Sequence, residues 1–169
     1  MANVYFNNAG KRFADGTTDF ADSGGSGKLR ALLLTSVTAS GNDLDKDLVT
    51  VADAKAASGY AEYNGAGYPA MASRPLIPTL TSVANNTNDR ADVSPPSGAS
   101  GVVSFGNPAA ATNPVRYFTV YEHLSDTDDT LNILHSAFDE GTIVGVNGSA
   151  SLLPMNFSWG GRAYEVVQG

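Results

Sequence analysis

Residues 42–47 place oxygen-bearing side chains at alternate positions, as the start of a calcium loop does. Such a loop needs Gly at its sixth position and a bidentate Glu at its twelfth. Here those positions hold Leu48 and Ala54. The segment is therefore not an EF-hand loop, and a solvated acidic turn is expected, with a nonstandard Ca²⁺ site as the alternative. The residues concerned are Asn42, Asp43, Asp45 and Asp47, and we expect a solvated turn also for Asp126, Asp128 and Asp129.

Gly27 and Lys28 end a glycine-rich stretch that precedes an apolar run, as in a phosphate-binding loop. That motif needs a glycine five residues before Gly27 and a hydroxyl directly after the lysine. The chain has Asp22 and Leu29 there instead. We expect a flexible loop leading into a strand, and no nucleotide cofactor.

His123 and His135 are the two histidines of the chain, so a hydrolase built on an imidazole would have to use one of them. No Gly-x-Ser-x-Gly elbow occurs, since residues 98–101 are one residue short of it. His123 lies in an aromatic segment typical of a structural imidazole. A polysaccharide-degrading enzyme remains an alternative, because the separation of a carboxylate pair cannot be read from sequence. The expectation is a protein that is not an enzyme, with no catalytic, cofactor-binding or metal-ligating residues.

The composition excludes several classes of protein. The chain has 169 residues, a formal net charge of -7 and no basic run, which argues against nucleic-acid binding. Without cysteine it has neither disulfides nor thiolate metal sites. We expect no secretory signal and no membrane span, because the longest apolar run covers only residues 31–34. Charged residues make up 16%, whereas Gly, Ser, Thr and Asn account for 60 residues, so the surface must be built from small neutral groups.

In the N-terminal half, an apolar run at residues 28–37 predicts a buried strand. Residues 4–14 predict a short amphipathic turn, arm or helix, and residues 15–27 a loop. Residues 41–57 predict one or two helical turns, capped by the Gly-Asn-Asp that opens the segment. Residues 60–73 have aromatic residues at 60, 63 and 68 and glycines at 65 and 67, which predicts an irregular strand pair.

Prolines punctuate the middle of the chain and forbid a long helix there. Residues 85–101 are the candidate exposed loop. Residues 115–124 predict a strand buried on both faces, covered by a second sheet, with a neighbouring subunit as a further candidate for the cover. Phe118, Val120 and Leu124 would share one face, and Val115, Tyr117 and Tyr121 the other.

Apolar and other residues alternate over 153–159 and are followed by Gly160 and Gly161, which predicts a hairpin with a two-residue turn. Its expected cross-strand pairs are Trp159 with Arg162, Phe157 with Tyr164, and Met155 with Val166. The whole pattern of short strands and turns favours one all-β domain over residues 1–169. We expect a β-sandwich of jelly-roll or immunoglobulin-like type, with residues 1–27 as an arm.

Several segments, in this order, resemble a family of small structural proteins encoded among the virion genes of tailed bacteriophages. The resemblance covers most of the chain but marks no functional residue, and residues 94–101 look like a variable loop within it. The segments are YFNNAGKRFADGTTDF, LRALLLTSV, DLDKDLVTVAD, EYNGAGYPAMA, NNTNDRADV, VRYFTVYEHLSDTDD and FSWGG.

The resemblance implies a virion component, in the first place a capsid decoration or cement protein assembled in the host cytoplasm and located on the capsid surface. Its partners would be the major capsid protein and further copies of itself, as a homo-oligomer such as a trimer, with no nucleic acid or membrane. The adhesive parts would be residues 4–13 or the proline-rich loops. The alternative is a tail, fibre or baseplate module that contacts the host surface. A glycan-binding version would need an aromatic platform, for which the candidates are Tyr60, Tyr63, Asn64 and Tyr68.

Overall fold

A computed structural model describes residues 4–15, 17, 28–36, 44–77, 81–85, 90–94, 102–106, 108, 111, 113, 115–139, 156–158 and 165–167. This part of the chain is mostly antiparallel sheet with few and short helices, so the all-β expectation is confirmed. None of its helices has the length and apolar character needed to cross a membrane.

The described segments form strands and three short helical elements. The strands are β1 (Val4–Tyr5), β2 (Lys28–Ser36), β3 (Tyr60–Glu62), β4 (Thr81–Asn85), β5 (Arg90–Ser94), β6 (Val102–Ser104), β7 (Val115–His123), β8 (Ile133–Asp139), β9 (Asn156–Ser158) and β10 (Glu165–Val167). The helical elements are α1 (Asn7–Ala14), α2 (Val51–Ala56) and a 3-10 turn (Met71–Ser73).

The largest sheet has five strands in the order β1-β8-β7-β2-β3. The smaller sheets have the orders β10-β5-β4 and β6-β9. At the centre of the largest sheet, β2 and β7 pair from Lys28 opposite His123 to Thr35 opposite Val115. Both central strands were predicted from their apolar runs.

Both faces of this sheet are buried by the chain itself. Along β2, Leu29, Ala31 and Leu33 enter one core cluster, and Leu32 and Leu34 enter the other. The first cluster is completed by residues such as Tyr63, Ile77 and Phe105, and the second by Phe6, Leu44 and Val51. The two-sided burial predicted for residues 115–124 is confirmed for 115–123, and these covering residues belong to the same chain.

The predicted faces of β7 need two corrections. Phe118 and Val120 share a cluster, and Tyr117 and Tyr121 share the other, as expected. Val115, however, joins Phe118, because the register with β2 shifts beside Thr35. Leu124 lies beyond the end of the strand and is 42% exposed.

The described part of the predicted N-terminal arm packs against the main sheet. Val4 pairs with Ala137 of β8, and Phe6 and Ala9 are buried in the second core cluster. The Asn7 amide also donates to the carbonyl of Lys46. Residues 4–9 therefore contribute to the core instead of extending from it.

Two local predictions differ from the structure between β2 and β4. The helix predicted within residues 41–57 exists, but it begins at Val51 and its cap is Thr50, which forms a capping box with Asp53. Residues 60–73 hold one strand, β3, which pairs with β2, and then turns. The expected strand pair within this segment is thus wrong, because β3 finds its partner in the buried sheet.

The predicted C-terminal hairpin is also wrong in its pairing. Phe157 of β9 lies opposite Val103 of β6, and Val166 of β10 lies opposite Ala91 of β5. The two strands belong to different sheets, so they do not pair with each other as a hairpin. Met155, Trp159, Arg162 and Tyr164 lie outside the described residues. Of the predicted exposed loop at residues 85–101, residues 90–94 form β5, and residues 86–89 and 95–101 are outside the described part.

The hydroxyl of Tyr68 closes a gap at the outer edge of β2. The β3 pairing ends near Leu33, whose carbonyl accepts from the Tyr63 amide, and the next backbone partner is Pro75, whose carbonyl accepts from Ala31. Between them, the Leu33 amide donates to Tyr68 Oη at 2.9 Å. Gly67, with φ of 87°, supplies the left-handed position of the turn that delivers Tyr68.

Tyr68→Phe should therefore destabilise the protein although it removes one atom. We expect a loss of about 1–3 kcal/mol in the free energy of unfolding, because a buried amide would lose its acceptor. Urea unfolding measures this loss. The matched control is Tyr5→Phe, at a tyrosine that is 47% exposed, with an expected change within about 0.5 kcal/mol. Equal effects of the two variants would contradict this role of the hydroxyl.

Candidate functional site

Arg74 is the centre of a buried charged cluster. Its side chain is 1% exposed and follows the 3-10 turn. Its Nε and Nη2 atoms donate to the two carboxylate oxygens of Glu62 at 2.8 and 2.6 Å. Its Nη1 and Nη2 atoms donate to Asp129 at 2.7 and 2.8 Å, so every guanidinium nitrogen is engaged by a carboxylate.

Lys55 and Asn132 complete the cluster around the same carboxylates. Lys55 Nζ lies 2.8 Å from Asp129 Oδ2 and 3.2 Å from Glu62 Oε2. Asn132 Nδ2 donates to Asp129 Oδ1 at 3.0 Å. Two cations thus face two anions, which balances the formal charge of the cluster.

The pKa values follow from this pairing. Burial alone would raise the pKa of Asp129, but hydrogen bonds from Arg74, Lys55 and Asn132 hold it well below its usual value. Burial alone would lower the pKa of Arg74, but its bonds to Asp129 and Glu62 raise it. Asp129 and Arg74 are therefore charged at neutral pH, and the cluster acts as a clamp between β3, α2 and the segment after β7.

Asp129 is the charged residue that the sequence prediction misplaced. It was expected in a solvated acidic turn, yet it is 7% exposed, whereas its neighbours Asp126 and Asp128 are exposed as predicted. Its partners Glu62 and Arg74 lie more than 50 residues away in sequence. No local signal distinguishes it from Asp128, because the difference comes from tertiary contacts alone.

Asn132 holds the connection between β7 and β8 in one conformation. Its Oδ1 accepts from the amides of Leu124 at 2.9 Å and Ser125 at 3.0 Å, and its Nδ2 also donates to the Ser125 carbonyl. The Ser125 hydroxyl accepts from the amides of Thr127 and Asp128. The turn is thus ordered by its own side chains and anchored to the clamp through Asp129.

Three large apolar side chains are exposed around this ordered turn. Val49 is 40% exposed, Leu124 42% and Leu131 51%. Leu124 is bonded to Asn132 through its amide, and Leu131 precedes Asn132 in sequence. The Val49 carbonyl accepts from the amide of Leu134, two residues after Asn132. We call Val49, Leu124 and Leu131 the turn surface.

The described members of the calcium-like segment are engaged locally. Asp45 Oδ1 accepts from the Asp47 amide at 2.9 Å, and Asp47 accepts from the side chain of Asn7. Both aspartates are exposed. Within the described ranges, no group of three or more His, Asp or Glu side chains is arranged to hold a metal ion. Asn42 and Asp43 lie outside those ranges, as do Asp22 and Gly27 of the glycine-rich stretch.

The two histidines occupy different environments. His123 Nε2 lies 3.0 Å from Asp126 Oδ1, and the ring packs edge-on against Tyr121 at 6.2 Å between centroids. Burial and the charge of Arg30 lower the pKa of His123. His135 is fully buried in β8, and burial, together with the charge of Arg12, lowers its pKa to about 3.

The tyrosines expected to form an aromatic platform pack inward. A cleft of about 400 Å³ beside the clamp brings Tyr63, Asn64 and Tyr68 together. Tyr63 is only 1% exposed, and the ring of Tyr68 stacks on Phe105 with centroids 5.7 Å apart. Tyr60 is half-buried against Tyr117, a residue of the second core cluster. These rings therefore do not present open faces for stacking on a sugar.

Comparisons of the chain with protein-family models, with curated proteins and with solved structures find no match.

Proposed function

We propose that this protein is a non-enzymatic structural component of a tailed bacteriophage virion, a capsid decoration protein that binds and stabilises the lattice of major capsid protein. The observation that carries this proposal is the turn surface. Val49, Leu124 and Leu131 each expose an apolar side chain on segments that are hydrogen-bonded around one turn, and apolar groups rimmed by polar ones are typical of protein contact sites.

The order of the turn supports the proposal further. A surface that is already held in its bound conformation loses little conformational entropy when a partner binds. The bonds of Asn132 and the Arg74 clamp provide this order without a disulfide. A protein assembled in a reducing cytoplasm cannot rely on disulfides, so a charged clamp suits the expected place of assembly.

The proposed architecture is a β-sandwich of jelly-roll or immunoglobulin-like type formed by the three sheets, and the proposed assembly on the shell is a homo-oligomer such as a trimer. The alternative is a tail, fibre or baseplate module. A glycan-binding role would use Tyr60, Tyr63 and Tyr68, whose rings pack within the protein. Their burial favours the capsid role.

The test uses heads of the encoding phage that lack this protein. Purified chain is added, and bound protein is measured by co-sedimentation and located by cryo-electron microscopy. We expect repeated density over the shell and a higher temperature of head disruption, because a ligand that binds only the assembled state stabilises it. Density confined to one vertex, or no binding at all, would overturn the proposal.

A further inference from the structure

Both segments that carry the turn surface also carry exposed carboxylates, which we call its acidic border. Asp126 and Asp128 lie in the turn between Leu124 and Leu131. Asp45, Asp47 and Asp53 lie in the segment that carries Val49, and all five are exposed.

Hydrogen bonds place these two acidic groups beside each other. The Val51 amide donates to the Asn132 carbonyl at 2.9 Å, and the Ala52 amide donates to the Asp129 carbonyl at 3.2 Å. The segment with Asp53 is thereby fastened to the segment with Asp128. Segments that are hydrogen-bonded to each other therefore carry both the acidic border and the exposed apolar side chains.

Most of the described cations of this region are paired within the chain, whereas Lys46, between Asp45 and Asp47, is exposed. Lys55 and Arg74 engage the buried carboxylate of Asp129, and Arg12 engages Glu122 of β7 at 2.8 Å. Arg30 Nη2 lies 3.8 Å from Asp126 Oδ1, and the Asp126 side chain is 59% exposed. Five exposed carboxylates against one exposed lysine give the border of the turn surface a net negative charge.

We infer that the turn surface docks into a protein surface of complementary chemistry, an apolar recess bordered by Lys and Arg side chains, on the shell of major capsid protein. This inference rests on the proposed function and adds to it the contact face of this chain and the chemistry of its partner. Apolar contact supplies affinity, and the charged border selects the partner and speeds its encounter.

The test compares two pairs of variants for binding to heads that lack the protein. Asp45→Asn with Asp128→Asn removes two border charges and keeps the oxygens that accept from Asp47 and Thr130. Its control is Asn64→Lys with Ala66→Lys, which changes the net charge equally at exposed positions after β3. Leu124→Ser with Leu131→Ser removes apolar contact. Its control is Leu76→Ser, at a residue that is 47% exposed and forms a bridge with Arg30 of β2.

We expect the double Asp→Asn variant to bind about 2- to 30-fold more weakly, the range that follows from two exposed ion pairs. The double Leu→Ser variant should bind at least about 10-fold more weakly, and both controls should bind like the parent chain. Higher salt should weaken binding of the parent chain to heads more than binding of the Asp→Asn variant. Thermal unfolding of each variant checks that it is folded.

Binding of the parent chain and of all variants with equal affinity would overturn this inference and leave the proposed function standing. The inference also fails, and the proposed function again stands, if the lysine control weakens binding as much as the double Asp→Asn variant. The same holds if Leu76→Ser weakens binding as much as the double Leu→Ser variant. Failure of the parent chain to bind heads would overturn both.

Discussion

Arg74→Leu is expected to lower the free energy of unfolding by about 3–5 kcal/mol, because it leaves the carboxylates of Glu62 and Asp129 in a largely buried site without their main partner. Lys55 is a third exposed and cannot replace a guanidinium that binds both carboxylates in two-point contacts. Urea unfolding at neutral pH measures the loss.

Two further variants distinguish the effect of losing the clamp from the general effect of removing a cation. Lys11→Met breaks an exposed pair with Asp15 and should cost at most about 1 kcal/mol. Adding Glu62→Gln to Arg74→Leu should recover part of the loss, since Asp129 and Lys55 then remain as a balanced pair and no carboxylate is left without a cation. An Arg74→Leu loss no larger than that of Lys11→Met would contradict the role assigned to the clamp.

Acidification is expected to destabilise the protein through His135 before the carboxylates titrate. The pKa of His135 is about 3 in the folded protein and 6.5 when unperturbed. Between these values the unfolded chain binds a proton that the folded chain does not, so acid favours unfolding by about 1.4 kcal/mol per pH unit. The stabilising effect of a neutral His135 is complete above pH 6.5 and declines as the pH falls towards 3.

The measurement is the free energy of unfolding between pH 6.5 and pH 4.5, a window in which His135 should account for roughly 2–3 kcal/mol. His135→Gln should flatten this dependence whatever it does to stability at neutral pH. His123→Gln, the matched control, should flatten it less, because His123 lies at the end of its strand beside exposed Asp126, which raises its pKa against the effect of burial. An unchanged slope in His135→Gln would show that His135 is protonated in the folded protein.

Local sequence was sufficient to predict the elements whose formation depends on the properties of neighbouring residues. Residues 28–36 and 115–123 form the two central strands, as their apolar runs predict, because a strand covered on both faces must be apolar at successive positions. A short helix was predicted within residues 41–57, although its cap is Thr50 instead of the Gly-Asn-Asp segment.

The pairing partners of the strands could not be predicted from local sequence. The alternation before Gly160 and Gly161 indicated a hairpin, but β9 and β10 pair with β6 and β5. A pattern of alternation says which residues share a face, whereas the choice of partner depends on contacts with strands far away in sequence.

By itself, the sequence determined that this is a mostly β protein with apolar central strands, an acidic excess and no cysteine chemistry. Only the tertiary structure decided which acidic residues are buried, which tyrosines lie in the core and where apolar side chains gather on the surface. Asp128 and Asp129 are adjacent, yet one is solvated and the other is clamped by Arg74, 55 residues away. The physical reason is that burial and charge pairing are properties of the surroundings, and these surroundings come from segments that meet only when the chain folds.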